Sequence, residues 1–312
     1  MGFLVTTQQV VLMFALMAIG AGVAKAGWLN QSAVSGLTNI LLYVVTPAVI
    51  LQAFHRPFDR GHLRDFGVVL GLAVASYLLV WALAFGLFNK RLVKDAHRRR
   101  ALRFGTIYSN AGYLGIPLAQ ALLGADGVFF GVTFLIAFNV FVWTQGYTMF
   151  PASVSLSFRQ QLRELARNPN MGPILVGLVL FVGSVPLPGM VVSGLGYLGA
   201  MNAPLSMMVI GANLAALTWR DFLGDRWVWA GTVARNLIVP GLALLILNFI
   251  PLGTTTRLAI LIPLSCPVAA FLIMYTVMRR VDATFATRLM FVSTLVSVVT
   301  IPAVMSLAQV LW

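Results

Sequence analysis

Acidic residues are scarce in this chain: Asp and Glu together number eight among 312 residues, and charged residues of either sign make up only 9%. Soluble domains carry roughly 25% charged residues, so a water-facing globular fold is excluded. Cys266 is the single cysteine, which rules out an internal disulfide and a paired-cysteine metal site. His55, His62 and His97 are the only histidines, all expected in loops. Neither a G-x-S-x-G elbow nor an H-E-x-x-H pair occurs, so an intramembrane enzyme lacks its usual groups. No basic residue precedes the first apolar stretch, so a cleaved leader with a basic n-region is not expected. Met1-Gly2 with Thr6 fits the loose myristoylation pattern, a chance match in a chain of many spans.

What the chain has instead is apolar sequence: 60% of its residues are hydrophobic and the mean hydropathy is +0.92. A spanning helix takes about 20 apolar residues. Ten candidate spans are centred near residues 16, 43, 76, 112, 138, 178, 207, 237, 265 and 298. They leave about 100 residues for loops and termini, so 1–312 is expected to be one all-α polytopic membrane domain. A membrane sensor would need a signalling appendage, for which there is no room.

The net charge of +13 is a topology signal. With the N-terminus outside, Lys25, the basic loop from Lys90 to Arg103, Arg159, Arg163, Arg167, Arg220, Arg226, Arg279, Arg280 and Arg288 face the cytoplasm, and only Arg56, Arg60, Arg64 and Arg257 lie opposite. That is the positive-inside asymmetry. It predicts both termini outside and makes the lipid bilayer with its anionic headgroups, rather than nucleic acid, the partner of the basic side. Short loops suggest a cell inner membrane.

Two spans are interrupted by proline at matching points: Ser109-Asn110-Ala111-Gly112-Tyr113-Leu114-Gly115-Ile116-Pro117, and Pro263-Leu264-Ser265-Cys266-Pro267-Val268-Ala269. Pro117 offers no donor to the Tyr113 carbonyl and crowds it, so the helix is expected to open about one turn before the proline. Freed backbone survives at membrane depth only inside protein or beside a wet cavity. A paired break of this kind points to a transporter's binding site.

The chain also repeats weakly at a spacing near 156 residues. Ser35-Gly36-Leu37 recurs as Ser193-Gly194-Leu195, Pro47 as Pro204, Arg64-Asp65-Phe66 as Arg220-Asp221-Phe222, and Asp126 as Asp282. Five spans per half is an odd number, so the halves 1–156 and 157–312 are expected to be inverted repeats. Span 2 is expected from about Ser35 to Phe54, and span 7 from about Ser193 to Leu217. Phe150 to Asn168, with Arg159, Arg163, Glu164 and Arg167, reads as a short amphipathic connector. Asp65 and Asp221, and likewise Asp126 and Asp282, read as caps of helix N-termini.

With these motifs the chain resembles the auxin efflux carrier family, whose bacterial members are called malate permeases. The likeness rests on Asn110 to Leu118, on Asn168-Pro169 leading to Pro173-Ile174-Leu175-Val176-Gly177-Leu178, on Ala203-Pro204-Leu205 followed by Ile210-Gly211-Ala212-Asn213-Leu214, and on the break at Pro267. It implies a scaffold of spans 1, 2, 6 and 7, a moving transport unit of spans 3–5 and 8–10, broken spans 4 and 9 crossing inside that unit, and organic-anion cargo. Family members often carry polar residues just after the second proline, where this chain has Val268, Ala269 and Ala270.

At the breaks, half-helix N-termini suit a carboxylate. Asn110 offers an amide, Gly112 and Gly115 allow close approach, and Tyr113, Pro117, Ser265, Cys266 and Pro267 complete the expected substrate site. Asn139, Asn213 and Arg235 are candidates for its surroundings or path, with Gln145, Asn202 and Asn236 as further polar groups in the spans. Arg235, about 12 Å into its helix, either serves the site or snorkels toward the cytoplasm. The expected function is an organic-anion carrier working by alternating access. A sodium-coupled bile-acid-type symporter is the alternative, though it would need acidic cation ligands that the spans almost lack. No metal and no cofactor are expected. The cargo, the coupling ion (sodium or proton) and the oligomeric state stay open, a homodimer among the options.

Overall fold

The computed structural model describes residues 3–150, 158–215 and 224–312. The caps and charges read at Arg220 and Asp221, the end of span 7 at Leu217 and the Met1-Gly2 motif lie outside those residues, as does part of the connector. Among the described residues all regular secondary structure is helix, apart from one isolated β-bridge.

Its helices, in order, are α1 (Phe3–Lys25), α2 (Gln31–Phe54), α3 (Arg60–Leu87), α4 (Ala96–Ile107), α5 (111–123), α6 (125–146), α7 (Phe158–Arg167), α8 (Met171–Val182), α9 (Gly189–Leu214), α10 (Arg226–Asn248), α11 (Thr254–Ser265), α12 (Phe271–Met278) and α13 (Thr284–Leu311). Among the described residues seven helical stretches are long and apolar enough to cross a membrane, and the α7–α8 pair, bent by 71°, allows an eighth. Large apolar side chains cover the outside: Val179, Val299 and Val310 are 67%, 71% and 83% exposed. A surface of that kind is stable against hydrocarbon, not water. The chain is a multi-pass membrane protein.

One of the seven stretches, Ala111–Gly146, folds back on itself. Gly124 has φ 64° and ψ −140°, a left-handed conformation that glycine adopts at no steric cost. Beyond it, a Cβ placed on Gly131 would lie 3.5 Å from Ile116 Cγ1. In one straight helix fifteen residues would separate the two by about 22 Å. Hence α5 and α6 are antiparallel neighbours joined at Gly124.

Prolines shape the helices by widening turns. Five-residue π-turns at Leu41–Val45, Ala111–Gly115 and Ala234–Ile238 each precede a proline two positions on, at Pro47, Pro117 and Pro240. A proline cannot donate to the carbonyl four residues back and collides with it. Bonding that carbonyl stretch at i→i+5 relieves the collision, as the Thr46 N–H on Leu41 and the Ile116 N–H on Ala111 demonstrate. The opening expected at Tyr113 is therefore a wide turn, and the true break lies earlier, at 108–110.

The acidic residues differ in part from the expected caps. Asp65 lies inside α3, whose N-cap is Asp59, accepting from the His62 N–H. His62 and His97 sit in the first turns of α3 and α4 rather than in loops. Asp126 caps nothing. Its carboxylate pairs with Arg56 at 3.0 Å, because the Gly124 fold-back turns it toward the loop after α2. Asp282 does accept from the Thr284 N–H, at 2.9 Å, and Asp95 and Asp225 cap α4 and α10.

The helices form two groups that also pack on each other, α13 against α1 and the α5–α6 hairpin against α1, α2 and α9. α1 lies along the second half of α9, and α2 lies against α8 and α9. Elsewhere α3 packs on α4 and α6, α10 on α4, α11 and α13, and α11 on the α5–α6 hairpin. Where α1 crosses α9 the backbones touch: a Cβ on Gly211 would collide with the Met17 backbone, and one on Gly20 with that of Met208. Small residues permit that approach.

Candidate functional site

The two broken helices meet back to back. Between α4 and α5 the chain leaves helical geometry at Tyr108, Ser109 and Asn110; between α11 and α12 it does so from Cys266 to Ala269. These segments form an antiparallel bridge, Ser109 opposite Val268. The Asn110 N–H donates to the Pro267 carbonyl at 2.8 Å, and the Ala269 N–H to the Tyr108 carbonyl at 2.9 Å. Each break thus satisfies the other where lipid offers no partner.

Helix α10 completes the accounting. Arg235, fully buried, donates from Nε to the Cys266 carbonyl (3.0 Å), from Nη1 to the Thr106 carbonyl (2.9 Å) and from Nη2 to the Leu264 carbonyl, with Ile107 at 3.5 Å. These are the end carbonyls of α4 and α11, which have no partner within their own helices. Snorkelling is excluded by this geometry. Next to it, Asn236 and Ser293 of α13 bond to each other, and Ser293 Oγ accepts from the Val268 N–H at 3.0 Å. The π-turn at Ala234–Ile238 lets both side chains of this consecutive pair reach the crossing from one helix.

On the opposite side of the crossing lies a small cavity of about 40 Å³, lined by Asn110, Gly112 and Tyr113, by Ala269, Ala270 and Phe271, by Leu135, Phe138 and Asn139 of α6, by Leu42 and Thr46 of α2, and by Asn170 just before α8. At roughly 10–15 Å³ per water, it holds a few waters. Gly112 and Tyr113 at the start of α5 and Phe271 at the start of α12 place both helix N-termini against it. A larger cavity, about 330 Å³ between α3, α10 and α11, is lined by alkyl side chains apart from Ser76. It offers nothing to orient an anion, so the smaller, polar cavity is the candidate site.

Of the residues expected at the site, the cavity brings together Asn110, Gly112, Tyr113 and Asn139. Pro267 supplies backbone to the bridge, and Gly115 packs on Cys266, where a Cβ would stand 3.4 Å from Sγ. Ser265 Oγ and Cys266 Sγ turn back onto their own helix, to the Leu261 and Ile262 carbonyls. Pro117 is buried at the start of the regular part of α5. Asn213 bonds the Val209 carbonyl on α9, away from the cavity, and the Tyr108 hydroxyl bonds the Phe141 carbonyl and Gln145.

Thr46, Asn170, Ala270 and Phe271 are lining residues that sequence reasoning missed. Asn168 Nδ2 donates to Asn139 Oδ1 at 2.7 Å, Asn168 Oδ1 accepts from the Asn170 N–H, and Asn170 Oδ1 is buried without a partner. The Asn168-Pro169-Asn170 run was the available signal.

A family model described as "Membrane transport protein" matches residues 5–305. The chain belongs to that family. It is the auxin efflux carrier family, to which the run from Asn110 to Leu118 pointed. Relatives include an uncharacterized transporter of Methanothermobacter thermautotrophicus, 22% identical over 96% of this chain and 97% of its own length, and one of Methanocaldococcus jannaschii, 21% identical over the same shares. The auxin efflux carrier family is a transporter family, not a class of enzymes. Ala269, Ala270 and Phe271 make one wall of the cavity apolar.

Proposed function

We propose that this transporter is a secondary carrier of organic anions, carboxylates above all, which bind at the crossing of the two broken helices. The observation that carries the reading is the convergence of two half-helix N-termini, α5 and α12, on one cavity that also holds Asn110, Asn139 and Asn170. Each N-terminus is worth roughly half a positive elementary charge. Two of them match one carboxylate, with the amides as additional donors. Malate and auxin-like acids are the first compounds to test.

The architecture of this reading is ten crossings in two inverted halves, 1–156 and 157–312. The Gly124 fold-back, the bent α7–α8 pair and the broken α11–α12 span support that count. The scaffold in this reading is α1, α2, α8 and α9, and the transport unit is α3–α6 with α10–α13, the two meeting where α1 packs on α13 and α2 on the α5–α6 hairpin. Alternating access is then an elevator-type movement of the transport unit against the scaffold. The cavity lies between the two units, and the Asn139–Asn168 hydrogen bond that joins them breaks as they slide. Both termini face outside in this topology, in keeping with the basic residues on the opposite side.

The test is charge movement by the purified protein in liposomes on a solid-supported membrane, challenged with malate, other dicarboxylates, aromatic acids and amino acids, with and without sodium. A current for one anion class that disappears in Asn110→Ala, while the variant stays folded, is the expected result. Wild-type currents in Asn110→Ala would remove the site from the crossing. Silence in both current and labelled-substrate exchange would remove the carrier reading itself.

A further inference from the structure

Arg235 is the one fully buried charge among the described residues, and no carboxylate there lies within ion-pair distance of it. A buried arginine without an anion is costly, so its surroundings must supply negative potential in another form. They do so with backbone. Its guanidinium fills a cage made by the carbonyls of Leu264, Cys266, Thr106 and, at longer range, Ile107. All four belong to the C-terminal ends of α4 and α11. Two such ends carry together roughly one negative elementary charge, which a single guanidinium cancels.

The crossing therefore has two electrical faces. Toward the cavity it presents the N-termini of α5 and α12, and behind the bridge it presents two C-termini. A cage of convergent carbonyls at broken membrane helices is the usual way to hold a small cation. Here the cage is occupied by a side chain of the protein.

We propose that Arg235 sets the sign of the site: it is a resident cation that closes the carbonyl cage to monovalent ions and gives the adjacent cavity its preference for an anion. Arg235 is a positioning residue in this role, since it bonds the backbone of the crossing. With a neutral side chain in its place, the C-terminal ends are uncompensated, the cage admits a cation, and anion binding at the cavity becomes dependent on that cation. The part concerning the anion rests on the carrier reading above; the part concerning the cage does not.

The experiment compares wild type with Arg235→Ala, Arg235→Lys and Arg235→Met in nanodiscs and liposomes. Guanidinium chloride at millimolar concentration is the probe, with tetraethylammonium chloride, whose cation is too large for the cage and has no N–H donor, at equal ionic strength as the control. Guanidinium is expected to raise the melting temperature of Arg235→Ala and leave that of wild type unchanged. Anion-evoked current should fall at least about tenfold in Arg235→Ala, the loss expected for charge-assisted hydrogen bonds, and recover in part with guanidinium. Arg235→Lys should retain more current than the uncharged Arg235→Met. A wild-type melting temperature in Arg235→Ala, or no guanidinium effect on it, overturns the proposal. If Arg235→Ala does not fold, equal currents in Arg235→Lys and Arg235→Met overturn it instead. Wild type silent to every anion, with the guanidinium effect on melting intact, would sink the carrier reading and leave the cage standing.

Discussion

Asn236 and Ser293 exchange two hydrogen bonds: Asn236 Nδ2 donates to the Ser293 carbonyl at 2.7 Å, and Ser293 Oγ donates to Asn236 Oδ1 at 2.6 Å. With its proton committed to Asn236, the Ser293 oxygen is left as an acceptor, and it takes the Val268 N–H at the crossing. Ser293→Ala leaves that buried N–H and the Asn236 carbonyl oxygen each short of a partner. The expected cost is about 1–3 kcal/mol, read as a lower melting temperature. An unchanged melting temperature would mean that another group satisfies Val268.

Gly211 faces the Met17 backbone with no room for a Cβ. Gly211→Leu should force α1 from α9 and cost more than the roughly 1–3 kcal/mol of ordinary overpacking, because backbone rather than a flexible side chain must give way. Loss of the monodisperse peak in detergent is the expected outcome; normal yield and melting would contradict this close crossing.

Arg56 and Asp126 join the loop after α2 to the start of α6, with the guanidinium 4.6 Å from the Phe129 ring centre. Asp126 is half exposed, so Asp126→Asn should cost no more than about 1 kcal/mol in stability. If the two units slide past each other, the same change should alter labelling of cysteines introduced beside Phe54 and Phe129. Identical labelling in wild type and variant would deny the pair any role as an outer contact.

Asp95 accepts from the His97 and Arg98 N–H groups at the start of α4. The bond from Arg98 is the main cause holding its carboxyl below the ordinary value of 3.8. A depressed folded-state pKa contributes stability above the unfolded value, lost as pH falls through the folded one. The melting difference between wild type and Asp95→Ala should therefore persist at pH 5–7 and shrink below about 3.8. A constant difference across that range would count against the carboxylate as the capping group.

Much of the site was legible because its signal is chemical. Pro117 and Pro267 each withhold a backbone donor from the turn before them, so two disturbed spans and the neighbouring Asn110, Gly112 and Tyr113 could be read directly. Their placement could not. Pro117 widens a turn, and the real break at 108–110 depends on pairing with 266–269, a contact between segments far apart in sequence. Asp126 read as a cap because local sequence is silent about Arg56 across the interface. Ser265 and Cys266 read as site residues because polarity can be read from a sequence and side-chain direction cannot.

By itself, the sequence determined the solvent and the class of this protein. Apolar spans, scarce carboxylates and paired prolines make a membrane transporter with broken helices, since hydropathy and the missing proline N–H act locally. Tertiary structure alone decided what the breaks do. It brought the two unsatisfied segments together, enclosed Arg235 in their carbonyls and turned Asn110, Asn139 and Asn170 to one cavity. Those outcomes depend on hydrogen-bond partners from separate helices, and at membrane depth such partners are the only ones a freed backbone group can find.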